Sequence, residues 1–72
     1  MKKVFKLEEL DCANCAAKMQ DAIGKIEGVE EVTISFLTQK MTINASEECF
    51  EKILKQAAKA IKKIEPDCRI VL

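Results

Sequence analysis

The fold is decided by residues 32–45, which read VTISFLTQKMTINA. Apolar and polar side chains alternate over residues 32–36, and they alternate again over residues 41–45. Alternation with a period of two is typical of a strand that has one buried face. Residues 38–40, which lie between the two runs, are polar and suit a turn. The stretch therefore predicts a β-hairpin.

An amphipathic helix is predicted on each side of this hairpin. The earlier helix spans residues 15–27 and ends before Gly28, because glycine commonly follows the last turn of a helix. The later helix follows Ser46, a candidate N-cap, and ends at Ile64. Pro66 cannot continue that helix.

A further alternating segment lies at each end of the chain. Residues 3–9 predict a first strand, and the alternation of Cys68, Ile70 and Leu72 predicts a last one. The order β-α-β-β-α-β belongs to the α+β class and predicts a ferredoxin-like βαββαβ sandwich, formed as a single domain over residues 1–72. We expect a four-stranded antiparallel sheet with both helices on one face. The loop before the first helix, the hairpin turn and residues 65–67 would then meet at one end of the sheet.

The composition excludes several classes of function. The chain has 72 residues, and its 12 basic and 12 acidic side chains cancel, whereas nucleic-acid binders normally carry a basic excess. No apolar run approaches the roughly 18 residues that a membrane span needs, and the start of the chain resembles no export signal. We therefore expect a cytoplasmic monomer that neither binds nucleic acid nor inserts into a membrane. Without histidine, a candidate general base or a phosphate-binding loop, we expect no enzyme.

Cys12 and Cys15 carry the chemistry of the chain. They form a Cys-x-x-Cys pair where the first strand gives way to a helix. The positive end of the helix dipole is expected to lower the pKa of both thiols, and the thiolate is the form that binds soft metals. Two thiolates alone suit Cu(I), whereas two thiolates and the Asp11 carboxylate suit a divalent ion such as Zn(II). Asp11 near a helix start is also consistent with a simple cap.

The other sulfur-containing side chains are interpreted as structural. Cys49 begins the second helix at the opposite end of the sheet, so it is expected to be too distant to join the pair. Cys68, Met19 and Met41 occupy apolar-face positions typical of the core. A helix-start Cys-x-x-Cys is also the signature of thiol–disulfide redox sites, which leaves redox activity as an alternative.

The chain resembles the heavy-metal-associated domain family of soft-metal carriers and of metal-transporting P-type ATPases. The resemblance rests on residues 9–16, Glu-Leu-Asp-Cys-Ala-Asn-Cys-Ala, where the family has Gly-Met-x-Cys-x-x-Cys-Ala, and on Gly28-Val29. Glu9 and Leu10 depart from the family pattern, and leucine is a volume-conserving replacement for methionine. The remaining positions that match the family are Met19, Ala22, Ile23, Ile26, Val32, Ile34, Thr38 and Lys40.

The resemblance also indicates which ion is bound. Asp11 before the motif and the sequence Ile-Glu-Pro-Asp at residues 64–67 resemble ATPases that export zinc, cadmium and lead. Acidic neighbours repel an anionic Cu(I)-dithiolate but favour a dication. We therefore expect Zn(II), Cd(II) or Pb(II), with Cu(I) as the alternative ion. Glu65 and Asp67 are candidate additional ligands, or residues of a solvated loop.

Taken with the motif, the resemblance implies binding and transfer of a heavy-metal ion through Cys12, Cys15 and Asp11. The implied context is the cytosolic N-terminal domain of a zinc-, cadmium- or lead-exporting ATPase, whose membrane domain or a partner carrier would exchange the ion. A free-standing copper(I) or mercury carrier is the alternative, and a thiol–disulfide redox module is the second alternative.

Overall fold

The computed structural model describes residues 1–71 as two helices packed on a four-stranded sheet. The predicted order of elements is confirmed, and Leu72, predicted to close the last strand, lies outside the described residues. The elements are β1 Lys2–Glu8, α1 Ala13–Gly24, β2 Val29–Ser35, β3 Lys40–Ala45, a 3₁₀ turn Glu47–Cys49, α2 Phe50–Ile64 and β4 Arg69–Val71. No helix within residues 1–71 is both long and apolar enough to cross a bilayer.

The sheet has the order β2-β3-β1-β4, and every neighbouring pair is antiparallel. Alternate side chains of the strands are buried against the helices, because each strand points successive residues to opposite faces. The resulting single core contains Leu7, Leu10, Ala16, Met19, Ile23, Val32, Ile34, Met41, Ile43, Ala45, Phe50, Ile53, Ala57, Ile61 and Cys68. The placement of Met19, Met41 and Cys68 in the core is thus confirmed.

Three connections meet at one end of the sheet, as the topology predicts. The pairing of Glu8 with Arg69 places the end of β1 beside the start of β4. The amide of Leu7 donates to the carbonyl of Gln39 at 2.7 Å, which places the hairpin turn beside both. Cys49 lies at the opposite end, where a Cβ added to Gly28 would lie 3.4 Å from its sulfur. The prediction that Cys49 is remote from the motif is confirmed.

Helix α1 is shorter than the prediction of residues 15–27. It begins two residues earlier and ends at Gly24, a poor helix former. The amide of Ile26 then donates to the carbonyl of Ile23 at 3.1 Å, an i→i−3 bond that tightens the chain out of the helix. Gly28 adopts a φ of +98°, so it belongs to the turn that enters β2 and does not directly follow the helix.

The remaining differences concern the ends of strands and Ser46. Strand β1 begins and ends one residue before the predicted residues 3–9, and β4 begins at Arg69, one residue after Cys68. Strand β2 begins at Val29, three residues early, because a register shift before Glu31 extends its pairing with β3. Phe36 lies in the turn, since Ser35 already pairs with Lys40. Ser46 precedes the 3₁₀ turn, and its side chain makes no capping hydrogen bond. The amide of Cys49, which a capping side chain would accept, donates instead to the Ser46 carbonyl at 2.9 Å.

Candidate metal site

Cys12 is the N-cap of α1. Its backbone is extended, with φ −130° and ψ 116°, and its sulfur accepts a hydrogen bond from the amide of Cys15 at 3.2 Å. Serine and aspartate usually make this contact through oxygen. The sulfur therefore sits on the exposed amides of the first helical turn, where negative charge is stabilised. Asp11 precedes the cap, so the structure does not support its interpretation as the capping residue.

The two thiols differ in acidity. The pKa of Cys12 is lowered, first because its sulfur accepts a hydrogen bond from the Cys15 thiol and then because it accepts the Cys15 amide. The pKa of Cys15 is raised to about 11, because its thiol donates to Cys12, is partly desolvated and faces negative charge. The expectation that both values fall is thus right for Cys12 and wrong for Cys15.

In the metal-free pair, Cys12 is therefore the more acidic thiol and Cys15 the one that holds its proton more tightly. If an ion binds here, Cys12 would lose its proton more readily, and the ion would have to displace the more tightly held proton of Cys15. Both side chains are half-buried, so their sulfur atoms remain accessible from the loop. This arrangement suits an ion that arrives and leaves by stepwise ligand exchange.

Glu65 is the carboxylate that most affects the acidity of Cys15. A hydrogen bond between the Cys15 thiol and Glu65 and the negative charge of Glu65 both contribute to the raised pKa of Cys15. Glu65 follows the last residue of α2 and is half-buried, while Asp67, two residues later, is exposed. The sequence left these two residues equivalent, and only the course of the chain after α2 distinguishes them.

Asp11 is exposed. Burial chiefly raises the pKa of Cys68, and the charges of Glu65 and Asp11 raise it further. Within the described residues, no three side chains of histidine, cysteine, aspartate or glutamate already stand together as a set that could hold a metal ion. A third ligand would thus have to move toward the two sulfur atoms.

In the loop before Cys12, Leu10 is buried in the core and Glu9 has a strained backbone. Leu10 is completely buried, so the leucine that replaces the family's methionine fills a position in the core. Glu9 adopts a φ of +63°, a left-handed conformation that favours glycine. The substitution at this position therefore costs conformational energy, a consequence that the sequence alone did not reveal.

Comparison with known proteins identifies the family of the chain. The sequence model of the heavy-metal-associated domain matches residues 4–67. The chain is 27% identical over 66 residues to the cadmium, zinc and cobalt-transporting ATPase of Bacillus subtilis, and 32% identical over 59 residues to the zinc/cadmium/lead-transporting P-type ATPase of Shigella sonnei. These matches cover 92% and 82% of the chain but only 9% and 8% of the ATPases.

Two further similarities extend the comparison. The chain is 37% identical over 61 residues to heavy metal-associated isoprenylated plant protein 31 of Arabidopsis thaliana, covering 85% of the chain and 44% of that protein. The solved N-terminal domain of ZntA superposes with a TM-score of 0.72 at 28% identity, over 99% of this chain and 92% of that one. With its fold, cysteine pair and matched residues, the chain belongs to the heavy-metal-associated domain family.

Proposed function

We propose that the chain binds one divalent ion, Zn(II), Cd(II) or Pb(II), through Cys12 and Cys15 and passes it to a partner protein. The observation that carries the proposal is the position of the Cys12 sulfur, which caps α1 and accepts a hydrogen bond from Cys15 at 3.2 Å. Thiolate character at an accessible helix start is what a soft or borderline ion requires. A partner thiolate can enter such a site before the first cysteine leaves.

The charges around the pair favour a divalent ion over Cu(I). Two thiolates with Cu(I) carry a net negative charge, which Glu65 and Asp11 would repel. Two thiolates with a dication are neutral, and a carboxylate oxygen can then complete the coordination. We propose Asp11 or Glu65 as the source of this oxygen, since Glu65 is near enough to raise the pKa of Cys15 and Asp11 adjoins Cys12 in the sequence.

The sequence relatives suggest the context of the transfer. Two of them are transporting ATPases whose names include cadmium, zinc or lead, and the chain spans less than a tenth of their length. We propose that this domain works on the cytosolic side, as a monomer, and exchanges its ion with the membrane part of such a transporter or with a separate carrier.

Anaerobic titration of the reduced protein with Zn(II), Cd(II), Pb(II) and Cu(I), each against a competing chelator, tests this proposal. Cys12→Ser and Cys15→Ser should each abolish tight binding. Asp11→Ala or Glu65→Gln should weaken the divalent ions by about tenfold or more, the scale of losing a supporting ligand. Asp67→Ala, an exposed carboxylate of the same loop as Glu65, is the matched control and should bind like the wild type.

Two results would replace the proposal. Tight binding of Cu(I) alone, unchanged in Asp11→Ala and Glu65→Gln, would identify a copper(I) carrier. A readily cycled disulfide between Cys12 and Cys15 in a protein that binds none of the four ions would identify a redox module.

A further inference from the structure

Gln39, at the end of the hairpin turn, is bonded to the loop that leads into the cysteine pair. Its side-chain amide Nε2 donates to the carbonyl of Leu10 at 2.6 Å. Its own carbonyl accepts the amide of Leu7 at 2.7 Å. One residue of the hairpin therefore holds both the end of β1 and the start of the metal loop, residues 9–12, which leads into the cysteine pair. The two bonds lie on either side of the strained Glu9.

The carbonyl of Leu10 depends on this contact. Leu10 is 0% exposed, so water does not reach its backbone, and a buried carbonyl without a partner is costly. The next two residues are Asp11 and Cys12. Fixing the Leu10 carbonyl therefore fixes the direction in which the chain enters the helix cap.

The conformation of Gln39 indicates that its side chain is what matters. Its φ is +55°, a left-handed value that glycine and asparagine adopt more easily. Glycine has no side chain to donate, and asparagine is one methylene shorter and would not span the same gap. Glutamine is less favourable in this left-handed conformation, but its side chain is long enough to donate to the Leu10 carbonyl.

We propose that Gln39 is a positioning residue for the metal loop: through the Leu10 carbonyl it holds Cys12 in the capping geometry that meets the ion. This inference rests on the proposed function. When the contact is lost, the loop must be ordered at the moment of binding, so affinity falls and the ion leaves faster.

Gln39→Met tests the role of the amide, because methionine keeps the approximate length of glutamine and its cost at a left-handed backbone, and removes the amide group that makes the hydrogen bond to Leu10. We expect its affinity for Cd(II) to fall about tenfold, the low end of the 10–100-fold range for residues that orient ligands, and its rate of Cd(II) release to rise. Leu37→Gln, in the same turn at a side chain that is 91% exposed, should bind like the wild type.

Loss of stability alone is separated from positioning by Ile53→Val, a core variant in α2. It should lower the melting temperature and leave Cd(II) affinity unchanged. Amide hydrogen exchange of the metal-free proteins gives a second readout: exchange at Cys15 should accelerate several-fold in Gln39→Met and not in Ile53→Val. Wild-type affinity in Gln39→Met, or an equal loss in Ile53→Val, would overturn the inference. A wild type that binds no ion would instead overturn the proposed function, and the exchange data would still decide the role of Gln39.

Discussion

The unequal acidity of the two cysteines predicts an unusual titration of the metal-free protein. The Cys12 pKa lies below the ordinary thiol value of 9.0, and the Cys15 pKa lies at about 11. The two thiols should therefore lose their protons in steps more than two pH units apart. Removing one cysteine should return the pKa of the other toward the ordinary thiol value. Cys15→Ala should raise the Cys12 pKa, and Cys12→Ala should lower the Cys15 pKa.

Metal binding should follow the same two steps, because each thiol must lose its proton to bind an ion. Below the pKa of Cys12, binding releases both protons, and the logarithm of the affinity should rise by about two per pH unit. Between that pKa and about 11, only the Cys15 proton is displaced, and the slope should fall to about one. Chelator competition with Cd(II) over a pH series measures both slopes.

The raised pKa of Cys15 also affects folding. A group whose pKa is higher in the folded protein stabilises it below the unfolded value, and this contribution is lost as pH rises between about 9 and 11. Site-resolved alkylation of the metal-free protein, read by mass spectrometry, measures the two pKa values directly. If both cysteines titrate together near 9, the hydrogen-bonded pair described here does not exist in solution.

Three further substitutions test the architecture around the site. Glu9→Gly should raise the free energy of unfolding by about 0.5 kcal/mol, because removing about 1 kcal/mol of backbone strain at a φ of +63° exceeds the roughly 0.5 kcal/mol entropic cost of glycine. The melting temperature should then rise by about 2–4 °C. An unchanged or lower melting temperature would show that the Glu9 side chain makes a stabilising contact. Leu10→Ala should lower the free energy of unfolding in urea by about 2–5 kcal/mol, because it opens a cavity at a fully buried side chain, and a loss below about 1 kcal/mol would contradict this packing. Arg69→Ala should cost less than about 1 kcal/mol, and the cost should shrink in high salt, since its 3.0 Å ion pair with Glu8 joins side chains that are 73% and 43% exposed; a larger, salt-independent loss would refute that account.

The element order was predictable from the sequence because each element carries its own hydrophobic period. The order of strands then followed from topology, and with it the end of the sheet at which the cysteine pair lies. The end of α1 was harder to predict. Ile26 continues the apolar spacing of the helix, although the chain has already left it at Gly24.

The site was predictable only in part. Cys12 and Cys15 are separated by two residues, so their convergence is local. The effect of Glu65 on the Cys15 pKa and the hydrogen bond from Gln39 to Leu10 both relate residues that are remote in sequence. Positions 9 and 39 have left-handed backbones but are glutamate and glutamine, whereas glycine or asparagine normally indicates such a conformation in a sequence. The raised Cys15 pKa depends on a sulfur–sulfur contact that spacing alone does not specify.

The central claim is that one divalent ion is held by Cys12, Cys15 and a carboxylate oxygen. X-ray absorption spectroscopy of the Zn(II) complex, prepared with one ion per chain, measures the number and kind of ligands directly. We predict two sulfur ligands and at least one oxygen ligand, with an oxygen contribution that changes in Asp11→Ala or in Glu65→Gln. Coordination by sulfur alone, unchanged in both variants, would contradict the claim.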